Sequence, residues 1–464
     1  MTSAHTSGEN NLSNCEAGAP LEGNYFVSAY PPFSCWKRKS ATDVLHILER
    51  VDSSPEDGPL GLYVHIPFCT VRCLYCYYLS YAQKSNDVIE RYLQALIKEL
   101  SLYYELTDLS ARSVKFAYFG GGTPSILSAS QIRTLFGGLK KSLPWTATEE
   151  ITFECSPKGI DKEKLSALRD AGVTRISMGV QQLDDEVLRK NGRVHLVSDV
   201  EQAYEMFQQM GFDVVNLDLI VGLVGESDSS FMASVEKIVE MNPTSVTIYQ
   251  LEIPSNTPLY HLYHDQKLNE APVSWNVKRA RLAEGFKALE QAGYQLRSAY
   301  TAVRGPEFRP FVYQDAQYCG ADFIGIGASS FSYYAGAHYQ NLAKLETYLQ
   351  RVESGQLPIE RAYVLSEEER LIREFILQLK LGEVDRSYFL DKFEVDIFAR
   401  FSEPIADFES QALLEGDGKQ LKLTREGLLQ VDRMLPVFYL PDHQGIRSSQ
   451  ELAALKPFER TDYD

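Results

Sequence analysis

No stretch of the 464 residues is apolar for long enough to cross a bilayer as a helix. Positive charge is also scarce. Lys and Arg number 46 against 63 Asp and Glu, for a net charge of -17. This excludes the broad basic surface that nucleic-acid binding draws on, so no nucleic-acid partner is expected; a local basic pocket for an anionic ligand stays compatible with it. Met1 to Ala19 lacks a basic start followed by an apolar core, so no secretory leader is read. The seven cysteines are odd in number, and three of them crowd into one short segment, unlike a disulfide framework. A reducing cytoplasm is the expected location. Hydrophobic residues make up 44% of the chain, enough for one large domain and a smaller one.

Residues 1–58 read as irregular, with the aromatic, Pro-containing stretch Asn24–Trp36 as extended chain and 54–60 as a linker. From residue 61 a strand, loop and helix rhythm repeats. Short apolar runs fall at 62–66, 114–121, 150–156, 175–180, 214–223 and 245–253. Between them lie helical patterns such as 88–106 and 227–242. Six such units predict an α/β fold built on a partial (β/α)6 TIM-like barrel. Past residue 345 the rhythm gives way to amphipathic helices. The expected divisions are an N-terminal tail and extended segment (1–58), a barrel core (59–344) and a small C-terminal helical domain (345–464).

The most informative segment is Cys69-Thr-Val-Arg-Cys73-Leu-Tyr-Cys76. Three thiolates in a Cys-x3-Cys-x2-Cys spacing can wrap a [4Fe-4S] cubane. Structural zinc usually takes a fourth Cys or His close by; no fourth Cys is near, and His65 sits in an expected strand. Three ligands leave one iron open, which is what a chelating cofactor such as S-adenosylmethionine (SAM) needs. The segment also follows the first strand, at the end where barrel chemistry is placed.

Other candidates recur at later strand ends. Gly120-Gly121-Gly122-Thr123-Pro124 lets the backbone approach a ligand closely with exposed N–H groups and could hold the SAM methionine amine and carboxylate, or be a tight turn. Glu154, Gln181 and Asp218 are polar groups in or just after apolar strands, where burial without a partner costs about 1–3 kcal/mol. Arg193 could grip a carboxylate bidentately. Tyr63 and His65 alternate on one strand and therefore share a face. His65 reads either as a proton donor or as a packed core histidine.

Several segments together resemble the oxygen-independent coproporphyrinogen III oxidase (HemN-like) family of radical SAM proteins: "GLYVHIPFCTVRCLYC", "YFGGGTP", "GVQQLDDEVLRKNGRVH", "VNLDLIVGL" and "GADFIGIGASSFSY". The resemblance runs from about Tyr25 to the C-terminus. It implies a partial barrel with a C-terminal helical domain, a [4Fe-4S] cluster on Cys69, Cys73 and Cys76, and two SAM molecules. It places Tyr63, Tyr75, Gly121, Glu154 and Phe331 around the first SAM, and Gly122, Thr123, Gln181, Arg193, Asp218 and Glu252 around the second. It also implies a flavodoxin- or ferredoxin-type electron donor and a small-molecule substrate.

That family includes tetrapyrrole-decarboxylating oxidases, haem-binding chaperones and enzymes that use the second SAM as a one-carbon donor. Two departures from the oxidase pattern stand out. Cys76 is followed by Tyr77 and Tyr78 where the oxidases have Cys-Gly-Cys, and Val221 and Val224 alter the "LIVGLVGES" segment. They turn the expectation towards C-methylation or cyclopropanation of an unsaturated or aromatic molecule such as a quinone. Oxidase-type tetrapyrrole decarboxylation and a haem chaperone are the alternatives. Phe26, Tyr30, Tyr77 and Tyr78 are candidates to line a pocket for a flat ring, or to be core.

Overall fold

The computed structural model describes residues 24–49, 58–107, 109, 112–268, 270–304 and 311–444. The linker expected at 54–60 falls largely outside them. Six parallel strands run in chain order: β1 (Leu60–Ile66), β2 (Val114–Gly121), β3 (Glu150–Cys155), β4 (Arg175–Gln181), β5 (Val214–Val221) and β6 (Ser245–Gln250). Each pairs in parallel with its predecessor, as the six apolar runs predict.

The sheet does not stop at six. A seventh parallel strand, β7 (Asp322–Ile326), adds to the free side of β1. Antiparallel strands Phe331–Tyr334, Ala337–Asn341 and Ile359–Val364 continue from it. Thr301–Arg304 and Tyr294–Leu296 extend the opposite edge beyond β6, giving twelve strands in all. The buried Arg112 guanidinium, 2.7 Å from Asp322, ties β7 in place. Because Ile359–Val364 belongs to this sheet, the barrel unit extends past the division expected at 344/345.

The strands alternate with unusual consistency. Ile151, Phe153, Ile176, Met178, Leu217, Leu219, Val246 and Ile248 belong to the main core under the surrounding helices. Phe119 stacks on Phe136 at 4.4 Å and on Phe153 at 5.7 Å there. Full burial of each such ring contributes about 1.5–3 kcal/mol. The intervening positions are polar: Thr152 and Glu154, Arg175 and Ser177, Asn216 and Asp218, Ser245 and Thr247. Barrel lumens are usually filled with branched aliphatic side chains. A polar lining means the lumen is built to hold something polar.

The C-terminal unit is more than helical. After the helix Glu367–Leu379, capped by a Ser366/Glu369 capping box, a three-stranded antiparallel sheet forms from Glu383–Asp385, Gln420–Leu423 and Leu414–Gly416. Its core includes Val27 and Tyr30 of the N-terminal segment. That segment is likewise not wholly irregular, because Ser40–Leu48 is an α-helix whose Val44 and Leu48 pack into the barrel core. Residues 24–49 thus join both cores.

The candidate radical SAM site

The Cys loop leaves the C-terminal end of β1. Its neighbours come from the loop after β4: Leu74 N–H donates to Asn191 O at 3.1 Å. Arg193 Nη1 donates to Cys73 Sγ at 3.3 Å and Nη2 to Gly179 O at 2.6 Å. Thr123 Oγ1 donates to Cys69 Sγ at 3.4 Å. Burial, then the Cys73 thiol, pushes Cys76 up to about 11, and burial likewise raises Cys69. The nearby Arg193 and Arg72 guanidiniums offset this only in part; bound iron would add the positive charge that ionises these thiols.

The donor set is three thiols on one loop, Cys69, Cys73 and Cys76, which fits three irons of a cubane.

The glycine loop departs from expectation. Gly121 N–H donates to Glu154 Oε2 at 3.1 Å, Gly122 N–H to Ile66 O at 2.9 Å and Thr123 N–H to Phe68 O at 2.8 Å. These N–H groups are consumed inside the protein and are not presented to a ligand. The glycines are needed for contact: a Cβ on Gly121, whose φ is +115°, would meet the His65 ring at 2.5 Å, and one on Gly122 would sit 2.8 Å from Phe68 O. The loop thereby locks the start of the Cys segment against β2.

Tyr63 and His65 do share a face. The Tyr63 hydroxyl lies 3.0 Å from His65 Nδ1, and His65 Nε2 lies 3.4 Å from Leu79 O. Burial lowers the imidazole to about 4, so it is neutral at pH 7. The neutral tautomer that satisfies both contacts carries its proton on Nε2 and accepts from Tyr63. Both ring nitrogens are engaged within the protein.

Two carboxylates stand in the lumen. Glu154 accepts from the Tyr118 hydroxyl at 2.7 Å. Asp218 accepts from Ser177 Oγ at 3.0 Å and Asn216 Nδ2 at 2.8 Å, and Thr247 donates to Asn216 Oδ1 at 3.0 Å. Burial and then Glu154 push Asp218 up to about 7, and burial raises Glu154 as well. No cation contributes to either shift, so a cationic ligand would favour the ionised form of both carboxylates. Gln181 adopts a left-handed φ of 68° at a bulge in β4. A Cβ on Gly179 would contact the Gln181 amide and come near Arg193, so these residues form one group next to Cys73.

Glu252, just past β6, accepts from Phe26 N–H at 2.5 Å. The N-terminal segment therefore reaches the barrel mouth, where Phe26 lines a cavity of about 50 Å³ with Tyr118, Asp218, Tyr249 and Tyr300. The segment is latched to the C-terminal unit: Lys380 Nζ donates to Val27 O at 2.6 Å and pairs with Asp432 at 3.2 Å, both side chains being buried. Tyr75 packs with Leu74 against Val187 and Leu251. Phe331 packs on Phe33 at 4.6 Å and abuts Trp36, and Tyr30 is fully buried between Tyr439 and His443. Tyr118, Ser177, Asn216 and Thr247 were not singled out from the sequence, although their period-two spacing marks them as lumen-facing.

A barrel with three such cysteines at the mouth of a polar lumen defines a radical SAM protein, and the pattern of the Radical SAM superfamily matches residues 63–238. That of the HemN C-terminal domain matches 365–429. Within the superfamily the chain belongs to the HemN-like family of coproporphyrinogen III oxidases and HemW proteins. It is 34% identical over 275 residues to the heme chaperone HemW of Escherichia coli, covering 59% of this chain and 69% of the relative. It is 28% identical over 401 residues to the oxygen-independent coproporphyrinogen III oxidase of Synechocystis, covering 82% and 84%. The solved coproporphyrinogen III oxidase (HemN) from Escherichia coli superposes with a TM-score of 0.78 at 26% identity, over 89% of this chain and 96% of that one. These relatives are named as oxidases and chaperones, so the one-carbon transfer expected from the sequence departures finds no support in them. The superfamily implies a [4Fe-4S] cluster and SAM, a small-molecule substrate and an electron donor. No helix among the described residues is long and apolar enough to cross a membrane.

Proposed function

We propose that the protein is a radical SAM enzyme acting on a tetrapyrrole-class substrate in the barrel mouth. The observation that carries the enzyme reading is the convergence of the cysteine loop, Glu154 and Asp218 on one polar lumen under the N-terminal segment. The tetrapyrrole class is what the named oxidase and chaperone relatives have in common. When bound, the cluster supplies the electron that cleaves SAM to a 5′-deoxyadenosyl radical. The chain's own residues do the rest. Tyr63, Tyr75, Gly121 and Glu154 bound the first SAM position, with Glu154 offering a carboxylate to its cationic groups. Gln181, Arg193, Asp218 and Glu252 bound a second cofactor or substrate position. Phe26 and the segment behind it exclude water while the radical exists.

The test is an anaerobic incubation of reconstituted protein with reductant, coproporphyrinogen III and SAM deuterated on its methyl group. The expected outcome is 5′-deoxyadenosine whose formation depends on the tetrapyrrole and which carries no deuterium. Deuterium in that product would point instead to a second SAM as one-carbon donor. Stoichiometric haem uptake with no SAM cleavage would make the protein a chaperone.

A further inference from the structure

The Glu154 carboxylate is held by one donor on each oxygen. The Tyr118 hydroxyl donates to Oε1 at 2.7 Å, and Gly121 N–H donates to Oε2 at 3.1 Å. An ionised carboxylate can accept about four hydrogen bonds, so each oxygen keeps a lone pair for a ligand. The two donors fix where those lone pairs point. One donor is main chain, and the other depends on a single side chain.

That side chain is itself held in place. Its neighbours on β2, Ala117 and Phe119, belong to the main core, so the Tyr118 ring faces the lumen. Tyr313 packs on the ring at 4.7 Å. Tyr63, its register partner on β1, lies at 6.1 Å with the planes 26° apart. Gly120 leaves room for the hydrogen-bonded pair: a Cβ there would sit 2.7 Å from Tyr118 Cε1 and 2.9 Å from Glu154 Oε1. The ionisable groups that interact with Glu154 from the other elements are Tyr63, Tyr78, Asp218, Tyr249 and Tyr313, and none is a cation. Hydrogen bonds are therefore what steadies a charge on this carboxylate, and those to an ionised group are the stronger kind.

We propose that Tyr118 is a positioning residue, whose hydroxyl turns the Glu154 carboxylate towards a cationic group of the first SAM. This rests on Glu154 serving the first SAM position and extends that position by one residue. A carboxylate already oriented loses less freedom when the ligand arrives. Removing the hydroxyl also makes the carboxylate harder to ionise, and a cation binds the ionised form.

The test is SAM binding to the reconstituted protein without reductant, by equilibrium dialysis near about pH 6.5 and about pH 8.5. Tyr118→Phe keeps the ring and its packing. It should bind SAM about tenfold more weakly than the wild type at the lower pH, with a smaller deficit at the higher one. The ratio of the two proteins cancels the ligand's own titration. Glu154→Gln should also weaken binding, and Tyr118→Phe added to it should weaken it no further. Gly120→Ala, which intrudes on the pair, should reproduce the loss. Iron content and the thermal midpoint without SAM verify that each variant is folded. A ring that merely supports the fold would cost the same affinity with or without the carboxylate and at both pH values. That result, or wild-type affinity in Tyr118→Phe, overturns the proposal and leaves the reading of Glu154 standing. Wild-type affinity in Glu154→Gln overturns that reading and the proposal with it.

Discussion

Replacing Asp218 with Asn should make the cluster-free protein less sensitive to pH. In the folded chain Asp218 titrates at about 7, against an ordinary value of 3.8, because burial and then Glu154 oppose its charge. The folded state therefore holds a proton that the unfolded state releases between those two values. Stability is unaffected below 3.8, falls as the pH rises through the interval, and stays lowered above 7. Each unit of difference corresponds to about 1.4 kcal/mol. Partial access to solvent and sharing of the proton with Glu154 reduce the total to about 2 kcal/mol. Asp218→Asn keeps an acceptor for Ser177 Oγ, so it removes the ionisation at small packing cost. Urea unfolding at pH 5 and pH 8 is the assay. The variant's stability relative to the wild type should rise between pH 5 and pH 8 by about 1 kcal/mol, the part of the interval that lies above pH 5. Parallel pH dependence in the two proteins would refute the electrostatic reading of the lumen.

The same electrostatics bear on ligand binding and the latch. SAM is cationic at its sulfonium and ammonium groups and should raise the thermal midpoint of the wild type more than that of Asp218→Asn, since an opposite charge favours the ionised carboxylate. Asp432→Ala leaves Lys380 buried without its carboxylate, which should cost about 3–5 kcal/mol; protease cleavage before residue 36 should rise with it. Glu99 accepts from Tyr348 Oη at 2.6 Å, Asn341 Nδ2 at 2.6 Å and Gly327 N–H at 2.9 Å. Glu99→Ala strands these donors and should lower stability by about 3 kcal/mol, read by chemical denaturation.

The parallel strands were legible because each is a run of apolar residues bounded by turn signals. β7 was not counted, since "DFIGI" is short and contains glycine, and its place beside β1 depends on a pairing across some 260 residues of chain. The strands of the C-terminal unit are three or four residues long, too short to show a period. Helix Ser40–Leu48 has Val44 and Leu48 at a spacing of four, a signal overshadowed by the aromatic, Pro-containing stretch before it. At the site, the cysteine spacing pointed to the superfamily whose pattern matches residues 63–238. The direction of the Gly121 and Gly122 N–H groups was not, because it depends on Glu154 and on the carbonyls of Ile66 and Phe68 in the folded loop. The polar lumen was written in the alternation of Thr152, Glu154, Ser177, Asn216, Asp218 and Thr247. Reading it required attending to the polar half of each strand as well as the apolar half.

The most direct measurement is of SAM cleavage by anaerobically reconstituted protein with a one-electron reductant, beside Cys69→Ala, Cys73→Ala and Cys76→Ala variants. The expected result is about four irons per chain and 5′-deoxyadenosine formed by the wild type, with product lost in all three variants. Cleavage that survives loss of any one cysteine, or a wild-type chain that takes up a single zinc and no iron, would contradict the assignment.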